Sequence, residues 1–340
     1  MSQIDDSPRA RAAAAPLGAG AATARTPDFF IVGHQKCGTT ALYMMLSQHP
    51  EIFMPDIKEP WYFGRELRSR FAKPSNRSRP NTLDDYLELF ADAQPGQIAG
   101  EASPQYIRSA SAAREIAELR NDARIVVLLR EPTAFLRSLH LQMVVAHDED
   151  EPDFAKALAL EQLRRAGERV PPRTNTPQTL LYSDHVRYAE QLDRLHESFP
   201  AEQVLVLIYE EFRRDNAATV ARVLEFLGVD AGFEAESVET KRLDDIRSMR
   251  LHRLRRTIRQ AGLNPAKRGR LVRTVDAIAP KPLDSRSIAK AFRRVAYRPQ
   301  RPPDEALILE LRRRFKPEVV AISERLDRDL VALWGYDDIS

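Results

Sequence analysis

The sequence predicts an α/β fold in which a parallel sheet is flanked by helices, with a helical extension at the C-terminal end. Three observations carry that prediction. Short apolar runs of strand length begin near Asp28, Gln97, Arg124 and Gln203, and helical patterns separate them, as in a parallel sheet covered on both faces. Residues 123–129, ARIVVLL, show no polar alternation, which suits a central strand buried on both sides. Residues 28–41, DFFIVGHQKCGTTA, read as a buried strand, a tight turn and a helix start.

Each further element follows from a local signal. Ala41, Leu42, Met45 and Leu46 keep helical spacing after Thr39, and Pro50 stops that helix. Residues 51–63, EIFMPDIKEPWYF, are broken by proline and extended. Thr82 followed by Asp85 makes a capping pair for a helix through Phe90, residues 97–101 form a short strand, and Ser109 to Arg120 form a helix. Glu131-Pro132 opens another helix, which carries Ser138. Residues 181–199 are amphipathic, with Val186, Leu192, Leu195 and Phe199 on one side. Val204 to Ile208 is the next strand, and Asn216 to Leu227 is a helix stopped by Gly228. Residues 304–334 read as helical segments broken at Pro317.

Composition bounds the organisation. The chain has 340 residues, 43% of them hydrophobic, enough for one large α/β domain with appended helices. Residues 1–26, rich in Ala and poor in aromatic and branched side chains, are expected to be a disordered leader. Asp5 and Asp6 ahead of a weak alanine run fit a secretory signal poorly. The domain then covers 27–340, with its core at 28–240 and an Arg-rich, helical part at 241–340. No apolar run approaches the roughly 20 residues that span a bilayer. The net charge of +3 does not mark the whole chain as a polyanion binder. The single cysteine, Cys37, excludes an intrachain disulfide and suits a reducing compartment, so a cytoplasmic location is expected.

The turn after the first strand carries the chemistry. A Walker A loop, GxxxxGK followed by Ser or Thr, has its lysine directly after the last glycine. Here Gly33 and Gly38 keep that spacing, but Thr39 and Thr40 follow Gly38, and Lys36 precedes it by two residues. The loop is P-loop-like without being a standard NTPase loop. Its backbone N–H groups at a helix N-terminus still suit an anion, because the first donors of a helix lack partners and the dipole favours negative charge.

Lys36-Cys37-Gly38-Thr39-Thr40 after a hydrophobic strand resembles the 5′-phosphosulfate loop of the sulfotransferases that use 3′-phosphoadenosine 5′-phosphosulfate (PAPS). Arg130 at the end of strand 124–129, with Ser138 eight residues later, resembles the pair that holds the 3′-phosphate in that family. Lys58-Glu59-Pro60-Trp61-Tyr62-Phe63 and Gly100-Glu101-Ala102-Ser103-Pro104-Gln105-Tyr106 resemble segments of its glycan-type branch, similar to heparan N- and O-sulfotransferases and their bacterial relatives. Residues 312–336 are similar to the closing helices of bacterial members. The resemblance covers roughly residues 28–240.

That resemblance implies a soluble bacterial transferase that moves the sulfonyl group from PAPS to a hydroxyl or amine of a carbohydrate or other small-molecule acceptor. Lys36 would stabilise the leaving oxygen, and Cys37, Gly38, Thr39, Thr40 and Ala41 would hold the phosphosulfate. Glu59 is the implied base, with a plain surface carboxylate beside Lys58 as the alternative. No metal is called for, since a sulfonyl group carries less charge than a phosphoryl group, and the sequence has no compact His/Cys/Asp cluster with zinc spacing. The 3-O-type enzymes have lysine where Ala102 stands, so their acceptor does not carry over. His34 more often marks a structural position, and Cys37 occupies a position that needs only a small residue. Glu101 suits a structural role, and Trp61, Tyr62 and Phe63 suit either an acceptor pocket or core.

Two other classes compete. A P-loop kinase or NTPase would need a differently placed lysine, and a metal-binding Asp where strand 124–129 ends in Arg130. A nucleic-acid-binding protein would use the Arg-rich stretch 242–301, but many acidic residues accompany it and no binding motif is visible, so no nucleic-acid partner is expected.

Overall fold

A computed structural model describes residues 25–67, 79–172, 174, 176–238, 245–246, 297–298 and 304–339. The leader expected over 1–26 lies outside the described residues except for Arg25 and Thr26. The Arg-rich stretch 242–301 also lies outside them, apart from two short strands.

Five parallel strands form the sheet: β1 (Phe29–Gly33), β2 (Ile52–Phe53), β3 (Ile98–Ala102), β4 (Arg124–Leu129) and β5 (Val204–Ile208), in the order β2-β3-β1-β4-β5. The extended segment at 51–63 supplies β2 at one edge. β1 is fully buried and β4 is buried from Ile125 onward, so the two most continuous apolar runs occupy the centre, where both faces are covered. In register, Gly33 lies opposite Leu128, and Ile31 lies between Ala102 and Val126. The chain builds β2 and β3 on one side of β1 and then crosses to β4 and β5 on the other. The reversal leaves a crevice at the C-terminal ends of β1 and β4, where open α/β sheets hold ligands.

The helices follow their local signals. α1 (Thr39–Leu46) buries Ala41, Leu42, Met45 and Leu46. α2 (Leu83–Glu88) begins with the capping box expected at Thr82 and Asp85, whose side chain and backbone contacts are reciprocal. α3 (Ala112–Leu119) is shorter than expected, because Ser109 is extended at the end of the Pro104–Arg108 3₁₀ turn and its Oγ accepts from the N–H groups of Ser111 and Ala112. α4 (Pro132–Ala146) is capped by Glu131, whose carboxylate accepts from the N–H groups of Thr133 and Ala134. α5 (Phe154–Ala159) and α6 (Glu161–Arg165) are short. α7 (Tyr188–His196) takes only the second half of the amphipathic stretch 181–199 and buries its predicted face at Leu192 and Leu195. α8 (Tyr209–Arg214) directly follows β5, and α9 (Asn216–Leu227) ends at Gly228 as the sequence indicates. Beyond the parallel sheet, β6 (Asp245–Ile246) pairs antiparallel with β7 (Tyr297–Arg298).

One expectation is overturned. Pro317 does not break the C-terminal helix: α10 (Glu305–Leu326) runs through it for 22 residues, and α11 (Leu330–Trp334) follows. A mid-helix proline costs about 3 kcal/mol. Leu311, Phe315, Val319 and Ile322 form a buried stripe on both sides of it against α4 and α7, and such side chains contribute about 1.5–3 kcal/mol each. Burial outweighs the missing hydrogen bond.

Gly33 is the tightest point of the central pair. Its φ is +123°, and a Cβ there would lie 2.7 Å from the Leu128 amide nitrogen and closer still to the Leu128 carbonyl oxygen. Gly33→Ala is therefore expected to destabilise the fold by about 3 kcal/mol or more, combining left-handed strain with a steric push between strands. Urea unfolding checks this, and a loss below about 1 kcal/mol would show that the strands have room to part.

Candidate functional site

The turn from β1 into α1 is built on left-handed backbone: Lys36 has φ +69°, and Gly38, at the helix N-cap, has φ +91°. A Cβ on Gly38 would press on the Phe212 ring at 3.0 Å, so glycine meets both a conformational and a steric demand. Because glycine caps α1, no side chain closes its first turn. The first internal bond runs from Leu42 N–H to the Gly38 carbonyl, and the backbone donors ahead of it have no helical acceptor. Thr39 is buried, Thr40 is exposed and Ala41 is buried.

Lys36 and Arg130 meet across the β1–β4 crevice. Arg130 Nη1 donates to the Lys36 carbonyl at 2.9 Å, and its guanidinium lies 4.4 Å from the centre of the Tyr209 ring. Tyr188 donates from its hydroxyl to the Arg130 carbonyl at 2.9 Å. Burial, and then the Arg130 charge, hold the Lys36 ammonium below the ordinary lysine value. Among the described residues neither cation sits in a salt bridge, and the Arg130 Nε is buried without a partner. Two cations at an uncapped helix N-terminus are an arrangement suited to a polyanion. Ser138 is half-buried on α4, past the Glu131 cap that follows Arg130 directly.

The C-terminal helices brace this strand end. Tyr336 donates to Glu131 at 2.6 Å, Trp334 Nε1 donates to Glu210 at 3.0 Å, and the Glu131 N–H reaches Glu210 at 3.3 Å. Arg328 pairs with Glu211. None of Tyr188, Tyr209, Glu131 and Tyr336 was marked by sequence reasoning as part of the site. Residues 312–336 were singled out only by resemblance, and an isolated tyrosine in an amphipathic stretch gives no signal of where its hydroxyl goes.

Glu59 lies on the segment after β2, its N–H bonded to the Ala102 carbonyl at 3.1 Å. That places it beyond the end of β3, on the far side of β1 from Arg130. Lys58 Nζ lies 2.6 Å from Glu59 Oε1, and Trp61 Nε1 donates to Oε2 at 3.4 Å. The carboxylate is partly exposed, at 29%, so it remains open to solvent. Glu59 at φ +60° and Trp61 at φ +56° are both left-handed without being glycine, a strain of about 1–3 kcal/mol each. Arg79 stacks on the Trp61 ring at 4.6 Å. Phe63 is core, and Tyr62 stacks on the buried Tyr86 at 4.5 Å.

The other candidates are structural in their surroundings. His34 is buried, its Nε2 lies 2.8 Å from Gln191 Oε1, and burial pushes its pKa down to about 3, so it stays neutral. Cys37 has no exposure, and burial pushes its thiol well above the usual range, which leaves no thiolate for chemistry. Glu101 is buried behind Glu59; its Oε2 accepts from Tyr86 at 2.9 Å and Tyr106 at 3.0 Å, and its Oε1 has no partner. Burial, only partly offset by these bonds, pushes its pKa from 4.5 up to about 7. Among the described residues no group of three or more His, Cys, Asp and Glu forms a metal site.

Comparison with known proteins agrees with this architecture. A family model described as "Sulfotransferase domain" matches residues 26–258. Heparan sulfate glucosamine 3-O-sulfotransferase 3B1 of Mus musculus is 26% identical over 231 residues, 67% of this chain and 53% of the relative. Bifunctional heparan sulfate N-deacetylase/N-sulfotransferase 3 of Homo sapiens is 29% identical over 209 residues, 60% of this chain and 22% of the relative. The chain thus spans between about a fifth and about half of the length of these two. The crystal structure of a sulfotransferase from Alicyclobacillus acidocaldarius superposes with a TM-score of 0.62 at 26% identity, covering 91% of this chain and 99% of the other.

The raised Glu101 carboxyl has a consequence for stability. A carboxyl whose folded pKa exceeds its unfolded value favours folding at low pH. Its contribution is fully present below about 4.5 and is lost as pH rises to about 7, a change of about 3 kcal/mol. His34 acts in the opposite sense between about 3 and 6.5 in both proteins, so a difference measurement isolates Glu101. Glu101→Gln, neutral at every pH, is expected to flatten the fall between pH 4.5 and 7 in urea-unfolding free energies. Parallel curves for parent and variant would show that Glu101 ionises as easily in the folded chain as in the unfolded one.

Proposed function

The chain belongs to the sulfotransferase domain family, and from that premise we propose that it transfers the sulfonyl group of PAPS to a hydroxyl or amine of a carbohydrate or other metabolite. The observation that carries this reading is the pair Lys36 and Arg130, joined through the Lys36 carbonyl at the β1–β4 crevice, with no salt bridge to either among the described residues. Those two cations and the uncapped first turn of α1 fit a nucleotide with anionic groups at both its 5′ and 3′ positions. A kinase reading has no comparable support, because Arg130 occupies the strand end where a metal-binding Asp would stand.

PAPS, when bound, supplies the sulfonyl group and leaves as adenosine 3′,5′-bisphosphate. The backbone donors from Cys37 to Ala41, with Thr39 and Thr40, hold the 5′ end, and Arg130 and Ser138 hold the 3′-phosphate. Lys36 places a positive charge where the leaving oxygen develops its negative one, a service that low dielectric around a half-buried ammonium strengthens. Glu59, partly exposed and paired with Lys58, accepts the acceptor's proton.

Residues 28–240 make the catalytic core, and the C-terminal helices brace the end of it that carries Arg130. A hydroxyl-bearing glycan is the acceptor class this reading favours, on the likeness to heparan sulfate sulfotransferases. No helix among the described residues is long and apolar enough to cross a membrane. The lone buried cysteine supports a reducing compartment, and we place the enzyme in the bacterial cytoplasm.

Three variants test the assignment. Arg130→Ala is expected to weaken adenosine 3′,5′-bisphosphate by about 1.5–3 kcal/mol while hardly changing adenosine 5′-phosphate; equal losses in titration calorimetry would remove Arg130 from the 3′ site. Lys36→Ala should lower turnover with labelled PAPS more than it lowers nucleotide affinity, because its contact strengthens in the transition state. Glu59→Gln should bind the bisphosphate normally and lose turnover by about 10² to 10⁴-fold, together with the acidic limb of the pH–rate profile. Turnover within about threefold of the parent would assign proton removal elsewhere.

A further inference from the structure

Five of the six residues from Glu59 to Gly64 carry a backbone N–H, and all five have acceptors outside the segment. Glu59 N–H bonds the Ala102 carbonyl at 3.1 Å, and Trp61 N–H bonds Ser103 Oγ at 3.4 Å, while Pro60 has no N–H to give. Tyr62 and Phe63 N–H both bond the Tyr106 hydroxyl, at 2.9 Å and 3.3 Å, and Gly64 N–H bonds Glu115 at 3.1 Å. The Tyr106 hydroxyl in turn donates to the buried Glu101 carboxylate. A phenol has two acceptor lone pairs and one proton, and here all three are used. This segment also holds the left-handed residues Glu59, Trp61 and Gly64, a conformation that persists only where surrounding contacts impose it.

We propose that Tyr106 and Glu101 are positioning residues for the Glu59 carboxylate: Glu101 orients the Tyr106 hydroxyl, and that hydroxyl clamps the strained turn which sets the direction of Glu59. The proposal rests on the reading of Glu59 as the base. Tyr106 is 4% exposed and Glu101 has no exposure, so neither meets the acceptor; both act through the backbone of Tyr62 and Phe63. Tyr86 completes the anchor, donating to the same Glu101 oxygen while its ring stacks under Tyr62. The arrangement explains why a carboxylate is kept in the core beside a sheet: it is the acceptor that leaves the lone pairs of a tyrosine free for two main-chain donors.

Tyr106→Phe keeps the buried ring and removes only the clamp. Hydrogen exchange of the peptide spanning Glu59 to Gly64 should accelerate at least tenfold in this variant while exchange in β1 stays unchanged. Turnover should fall about tenfold, with the dissociation constant for adenosine 3′,5′-bisphosphate within twofold of the parent. The same substitution made in Glu59→Gln should cause no further loss of turnover, since a misdirected glutamine has no base function to lose. Glu101→Gln, which keeps an oxygen acceptor for both phenols, should retain the exchange protection. Unchanged exchange in Tyr106→Phe overturns the clamp, and a full additional tenfold loss in the Glu59→Gln background overturns its action through Glu59. Full turnover in Glu59→Gln alone defeats the general-base reading instead, and with it the catalytic purpose of the clamp, while the exchange result still decides whether Tyr106 holds the turn.

Discussion

The close approach of Gly33 to the backbone of Leu128 governs the rest of the structure. Two fully apolar strands can pack at the centre of a sheet in many sequences, but here the chain must leave β1 at the level of Leu128, turn sharply and enter α1 within five residues. With no Cβ at Gly33 and none at Gly38, the turn folds tightly against β4 and α8. Its consequence is that the Lys36 carbonyl reaches the guanidinium of Arg130. A single backbone contact thus joins the two strand ends that the proposed nucleotide site requires.

Around that junction the protein stacks cations and withholds carboxylates. Burial and the Arg130 charge make Lys36 costly to ionise, and the nearby acids are committed elsewhere: Glu131 to the cap of α4 and to Tyr336, Glu210 to Trp334 and the Glu131 N–H. This division of labour has a physical basis. A carboxylate paired directly with Arg130 would neutralise it and compete with an anionic ligand, whereas acids held by neutral donors stabilise the scaffold and leave the positive charge available. The C-terminal helices therefore contribute at a distance, by fixing which acids face which partners.

The opposite side of β1 follows a different logic. There the backbone is strained at Glu59 and Trp61, and the strain is held by bonds to the end of β3 and the turn after it. Loop residues that carry chemistry gain direction when neighbouring rigid elements over-determine them. β3 and the Pro104–Arg108 turn serve as that rigid element: Ser103 and Tyr106 accept from the strained segment, and the buried Glu101 accepts from Tyr106.

The amino-acid order alone determined the strands at Val204–Ile208 and Arg124–Leu129, the helix ending at Gly228, and the capping box at Thr82, because apolar runs, left-handed glycine and capping chemistry are local signals. It also marked Lys36, Arg130 and Glu59, since their neighbours in sequence form legible motifs. Only the tertiary structure decided that Pro317 stays inside a helix, because the stripe that holds it is buried against α4 and α7, which precede it by well over a hundred residues. It alone assigned Tyr188, Tyr336 and Tyr106 to the support of Arg130, Glu131 and the Glu59 turn. A hydroxyl carries no periodicity and no fixed spacing to its partner; where it bonds is set by the packing of segments distant in sequence, which no local pattern encodes.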